Sequence, residues 1–120
     1  MTLAFRANSV RCADAIDGEI LQVCFETMPE SGDEDKRDTP YVLISQNFEF
    51  PGPATIEWHA GSGYDGGAEM VSVTLTRNRA LVKLDRDCEI EVSFSIDDRQ
   101  FAQMNSYLRR MLADGVFIAK

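Results

Sequence analysis

The sequence predicts an α+β fold: a mostly antiparallel β-sheet of about six to seven strands, with one C-terminal α-helix packed on the sheet. Two observations carry this. Apolar residues recur at every second position in most runs before residue 97, and the period changes to helical spacing only over Phe101, Met104, Leu108, Met111 and Leu112. Turn signals, not helical stretches, separate the runs. That excludes the strand–helix–strand alternation of a doubly wound nucleotide fold.

The elements follow in order. LAFRANSV (3–10) reads as a first strand with Leu3, Phe5 and Ala7 on one face. Asp17-Gly18 marks a turn, and in the apolar run after it Leu21, Val23 and Phe25 form the more apolar face, which is therefore the core face. PESGDEDKRDTP (29–40) is bounded by prolines and almost wholly polar. It cannot bury enough apolar surface to offset its ordering entropy, so it reads as a mobile, solvated loop, with an acidic docking loop as its functional alternative. YVLISQNFEF (41–50) is the most apolar strand, stopped by PGP because proline cannot continue a ladder. ATIEWHA (54–60) sets Ile56 and Trp58 against Glu57 and His59. EMVSVTLTR (69–77) places Val71, Val73 and Leu75 on one face, and a turn at Asn78 returns the chain through Ala80, Val82 and Leu84. EIEVSFSI (89–96) alternates Ile90, Val92, Phe94 and Ile96 against polar residues, as a sheet with one buried and one wet face requires. Asp97 or Asp98 caps the helix, Arg109 and Arg110 meet the negative end of its dipole, and Gly115 takes a left-handed position that ends it. VFIAK is an apolar tail that docks back on the core.

The 120 residues suit a single domain spanning 1–120. Three cysteines, Cys12, Cys24 and Cys88, with no CxxC spacing, point away from a disulfide framework and a structural zinc site and suit a reducing cytoplasm. No run approaches the roughly 20 apolar residues of a membrane span, and MTLAFRANSV carries no secretory pattern. A net charge of −8 argues against nucleic acid as the main ligand. It keeps the protein soluble and would steer a basic partner toward it.

The glycine-rich stretch GSGYDGG (61–67) follows EWHA (57–60), which holds the chain's one tryptophan and one histidine. A phosphate loop needs a following lysine and helix, and neither is present. A calcium loop needs several oxygen ligands, and Asp65 is the stretch's one carboxylate. The glycines therefore read as a hairpin connection with irregular backbone. Tyr64 among them has little to pack on locally. Trp58, Tyr64 and Asp65 resemble an interface anchor set, with Trp58 as a core residue and Tyr64 folded over the sheet edge as the structural alternatives. Any histidine-based catalysis must use His59, whose same-face neighbour is Glu57, and no nucleophile elbow accompanies it.

From Pro40 onward, YVLISQNFEF, TIEWHAGSGYDGG, VSVTLTRNRALVKLD and EIEVSFSIDDRQFAQMNSYLRRML are similar, in order, to the immunity protein 10 family found beside bacterial polymorphic toxins. The matching features are a YLIL-like strand at Tyr41–Ile44, an SGYGG-like loop at Ser62–Gly67, a hairpin ending in LD at Val71–Asp85, and a strand running into the terminal helix at Glu89–Leu112. The resemblance implies a small cytoplasmic protein, not an enzyme, that binds and neutralises a cognate toxin domain without cofactor or metal. The expected partner-binding residues are Tyr64 and Asp65, then Trp58, Glu57 and His59. Two other classes stand beside this reading. One is a small hydrolase-like enzyme using His59 with Glu57 or Asp65. The other is a homo-oligomeric subunit, such as a homodimer, paired through a strand edge.

Overall fold

The computed structural model describes residues 2–27, 40–49, 52–59, 64–66, 69–85 and 87–120. The α+β class holds, with two corrections: the described strands number ten rather than about six to seven, and they form two sheets rather than one. Among the described residues there are ten strands, β1 (Thr2–Arg6), β2 (Ser9–Ala15), β3 (Ile20–Glu26), β4 (Tyr41–Asn47), β5 (Thr55–His59), β6 (Tyr64–Gly66), β7 (Met70–Thr76), β8 (Arg79–Leu84), β9 (Cys88–Ser93) and β10 (Phe117–Ala119), and one helix, α1 (Asp98–Met111). The first sheet has the order β1-β9-β8-β7-β10, and the second β2-β3-β4-β5-β6. The second sheet is antiparallel throughout. In the first, β7, β8 and β9 are antiparallel, while β1 joins β9 and β10 joins β7 in parallel.

The two sheets share one core. Leu21, Val23, Phe25, Val42, Ile44, Ile56 and Trp58 of the second sheet are buried in one cluster with Val73, Leu75, Ala80, Val82, Ile90 and Val92 of the first. The ring of Phe25 stacks on Phe94, just past β9, at 5.8 Å between centroids. Alternation puts every second residue of each strand into this layer, and the facing sheets exclude water between them. The expected core face of Leu21, Val23 and Phe25 is the observed one.

Three elements depart from the sequence reading. LAFRANSV is not one strand: the ladder breaks at Ala7-Asn8, and the unanticipated β2 begins at Ser9. Ala7 N–H donates to Ser93 O and Asn8 N–H to Glu26 O, so the chain passes from one sheet to the other there. Val71 does not face the core; a register shift between Met70 and Ser72 leaves it 57% exposed. The extra residue of a bulge has no place in the alternation. The strand at 89–96 leaves the ladder after Ser93, although Phe94 stays buried. The tail expected to dock on the core does so as β10, whose Phe117 packs against it. The acidic segment 29–39 lies outside the described residues.

The helix starts where its capping signal lies. Asp97 Oδ1 accepts from Gln100 N–H at 2.7 Å and Gln100 Oε1 accepts from Asp97 N–H, a reciprocal capping box. Arg77, in the β7–β8 turn, fastens this end. It donates to Ile96 O and Asp98 Oδ1 at 2.8 and 2.9 Å and lies over the Phe101 ring. Met104, Leu108, Met111 and Leu112 are buried as the periodicity requires. The end of the helix differs from expectation: Leu112 is the C-cap, in extended backbone, and Gly115, at φ 89°, serves the turn into β10 instead.

Phe94→Ala is expected to lower unfolding stability by about 3–5 kcal/mol, because it empties the inter-sheet ring stack. Asp97→Ala is expected to cost about 1 kcal/mol. Denaturant titration measures both. Burial pushes the Cys12 thiol up to about 11 from 9.0. Below the unfolded value both states keep the proton and Cys12 adds no pH dependence. Between about pH 9 and 11 only the unfolded chain ionises, so stability falls as pH rises. Cys12→Ala is expected to make that alkaline decline shallower in a pH series of thermal melts.

Candidate partner-binding surface

Alternation along the second sheet sends Val42, Ile44, Ile56 and Trp58 inward, so their neighbours Tyr41, Leu43, Glu57 and His59 share the outer face. The registry arranges this face in rows. Glu26 pairs with Tyr41, and Tyr41 with His59. In the next row Arg11 pairs with Cys24, Cys24 with Leu43, and Leu43 with Glu57. All are half-buried except Arg11, which is exposed.

The groups are interlocked. Tyr41 O–H donates to Glu57 Oε2 at 3.3 Å, and the Tyr41 and His59 rings stack at 6.0 Å. Arg11 grips Glu26 at two points, Nε to Oε1 and Nη2 to Oε2. This planar fork is the strong geometry for guanidinium and carboxylate. The Cys24 thiol lies 4.0 Å from Glu26 Oε2. Burial, then the Glu26 charge, push this thiol above its ordinary range, while Arg11 opposes them. His59 Nε2 is buried and has no hydrogen-bond partner among the described residues. A small cavity of about 100 Å³ adjoins it, lined largely by Leu3, Phe5, Val42, Trp58 and Ile90.

The structure brings some of the expected residues together and separates others. Glu57 and His59 share the outer face, joined by Tyr41. Trp58 does not belong with them: it is 6% exposed and sits in the core, because its place in β5 points it between the sheets. Tyr64 and Asp65 lie on β6, which pairs antiparallel with β5 in the register His59–Tyr64 and Trp58–Asp65. Part of the expected loop is thus a short strand at the sheet edge, and the rest of GSGYDGG lies outside the described residues. Tyr41, Glu26 and Arg11 were not singled out from the sequence, and Cys24, which reads there as a small buried apolar residue, is only half-buried on this face; only strand order places the four beside Glu57 and His59. Among the described residues no cluster of three or more His, Cys, Asp or Glu could hold a metal, and no helix is long and apolar enough to cross a membrane.

Compared with protein-family models, with characterised proteins and with solved structures, the chain has no match in any of the three.

At pH 8, Cys24 is expected to react with iodoacetamide more slowly than a free cysteine, because its raised pKa leaves less thiolate. Glu26→Gln is expected to speed the reaction, since it removes the charge that disfavours the thiolate and frees Arg11 to favour it. Peptide mapping by mass spectrometry separates Cys24 from the other two thiols.

Proposed function

We propose that the chain is a non-catalytic binding module of the immunity type, which neutralises a cognate bacterial toxin domain in the cytoplasm. The observation that carries this reading is the outer face of the second sheet. Tyr41, Glu57 and His59 are fixed to one another on a rigid ladder, beside the edge strand β6 that carries Tyr64 and Asp65. Side chains already held by neighbours lose little entropy on binding, and aromatic groups dominate interface energetics. The edge of β6 adds backbone donors and acceptors for a partner strand. The net charge of −8 supports fast association with a basic partner. The resemblance of the YVLI, SGYDGG and terminal-helix segments to immunity protein 10 supports the toxin as that partner.

A second reading, a small hydrolase using His59 with Glu57 or Asp65, draws on the buried, unpartnered Nε2 of His59 and the cavity beside it. Against it, Glu57 is engaged by Tyr41, and the cavity is small, with mostly apolar walls beside Tyr41 and His59.

Tyr64→Ala combined with Asp65→Ala is expected to weaken binding to the cognate toxin domain by about 100-fold or more, the range of paired hot-spot losses. Growth rescue of cells expressing that domain should fall in step. Calorimetry showing unchanged affinity would move the interface elsewhere. Failure of the unaltered chain to bind or rescue would remove the toxin reading.

A further inference from the structure

We propose that the opposite end of the second sheet is a docking surface for a basic protein segment with an apolar face. The β2–β3 turn and the start of the β4–β5 connection lie together there, since Phe48 N–H donates to Glu19 O at 2.7 Å. Two large apolar side chains project from this end: Ile16 is 62% and Phe48 46% exposed. Much of each side chain's surface is left open to solvent.

The backbone beneath Ile16 is as telling as its exposure. Asp17 and Gly18 occupy the centre of the turn at φ 53° and 87°, with Glu19 N–H donating to Ile16 O at 3.1 Å. These two residue types suit positive φ. Ile16 precedes them, also at φ 53°. A β-branched residue is poorly suited to that region, and here burial does not compensate for it. Strain that folding does not use points to a use in binding.

Charge selects the occupant. Asp14, Asp17, Glu19 and Glu49 are all exposed around the two apolar side chains. Tyr107 O–H donates to Asp14, and the exposed Arg110 guanidinium lies beside Gly18, one cation against these four carboxylates. A second copy of this chain would bring two acidic rings together, and an anionic membrane would be repelled. A segment with lysine or arginine flanking apolar residues satisfies both parts of the patch. A cleft of about 470 Å³ opens at the same end, with apolar walls from Pro53, Met70, Met111 and Val116 and the charged Glu69 and Arg110 also lining it, and it gives the apolar side of such a segment a recess. This surface is distinct from the Tyr64 edge and does not depend on the toxin reading.

The test is an NMR titration of the intact protein with a synthetic amphipathic helix of leucine and lysine, and with its leucine–glutamate counterpart. The lysine peptide is expected to shift the amides of residues 14–19 and 47–49, and the glutamate peptide to shift none. Ile16→Gly removes the side chain and relieves the backbone. It is expected to raise the thermal midpoint yet weaken the lysine peptide about tenfold, the loss of one anchor. Glu19→Lys with Glu49→Lys should weaken it further. Shifts centred elsewhere, or binding untouched by Ile16→Gly in a folded variant, would overturn the proposal. So would a dimer in sedimentation that Ile16→Gly dissolves, which would make a second copy the occupant.

Discussion

Two consecutive amides decide the shape of this molecule. Ala7 N–H completes the ladder of the first sheet at Ser93, and Asn8 N–H opens the ladder of the second at Glu26. With no residue between them, the chain must fold one sheet over the other at once. Ala7 is 2% exposed, so the crossing is itself buried. A larger residue would push the sheets apart where they are joined. The Phe25–Phe94 stack lies close in sequence to both bonds and fills the layer this crossing defines.

The joint also fixes what the second sheet presents. Once Phe25 faces inward, Cys24 and Glu26 must face outward, and the antiparallel register carries that choice to Leu43 and Tyr41, then to Glu57 and His59. The polar row is therefore a consequence of core packing. One end of the sheet carries the paired Tyr41 and His59 rings and the β6 edge. The other carries exposed apolar side chains among carboxylates.

The sequence made some of this legible. Regular alternation in β3, β8 and β9 gave the right inward residues, and the helix stripe with its Asp97 cap was readable because every local signal agreed. β2 escaped because SVRCADA has one large aliphatic residue, Val10, and only the neighbouring β3 makes it a strand. The bulge at Val71 escaped because alternation counts residues and a bulge adds one. A single sheet satisfies the same alternation, which does not say which strands are neighbours. Glu57 and His59 were legible as a same-face pair, being two apart in one strand. Tyr41 was not, because it joins them through pairing alone. Trp58 drew attention by its rarity, and the strand position that buries it was visible in the same alternation.

The parallel pairing of β1 with β9 has a kinetic consequence. Leu3 and Ile90 are partners in the ladder yet lie far apart along the chain. Antiparallel hairpins such as β7–β8 can close soon after their residues emerge, but β1 must wait for β9. Closing so long a loop carries an entropic barrier that local contacts do not offset, so completion of the first sheet should be a late and slow event. Until then the strand edge at β9 stays open, and aggregation during synthesis competes with folding at that edge.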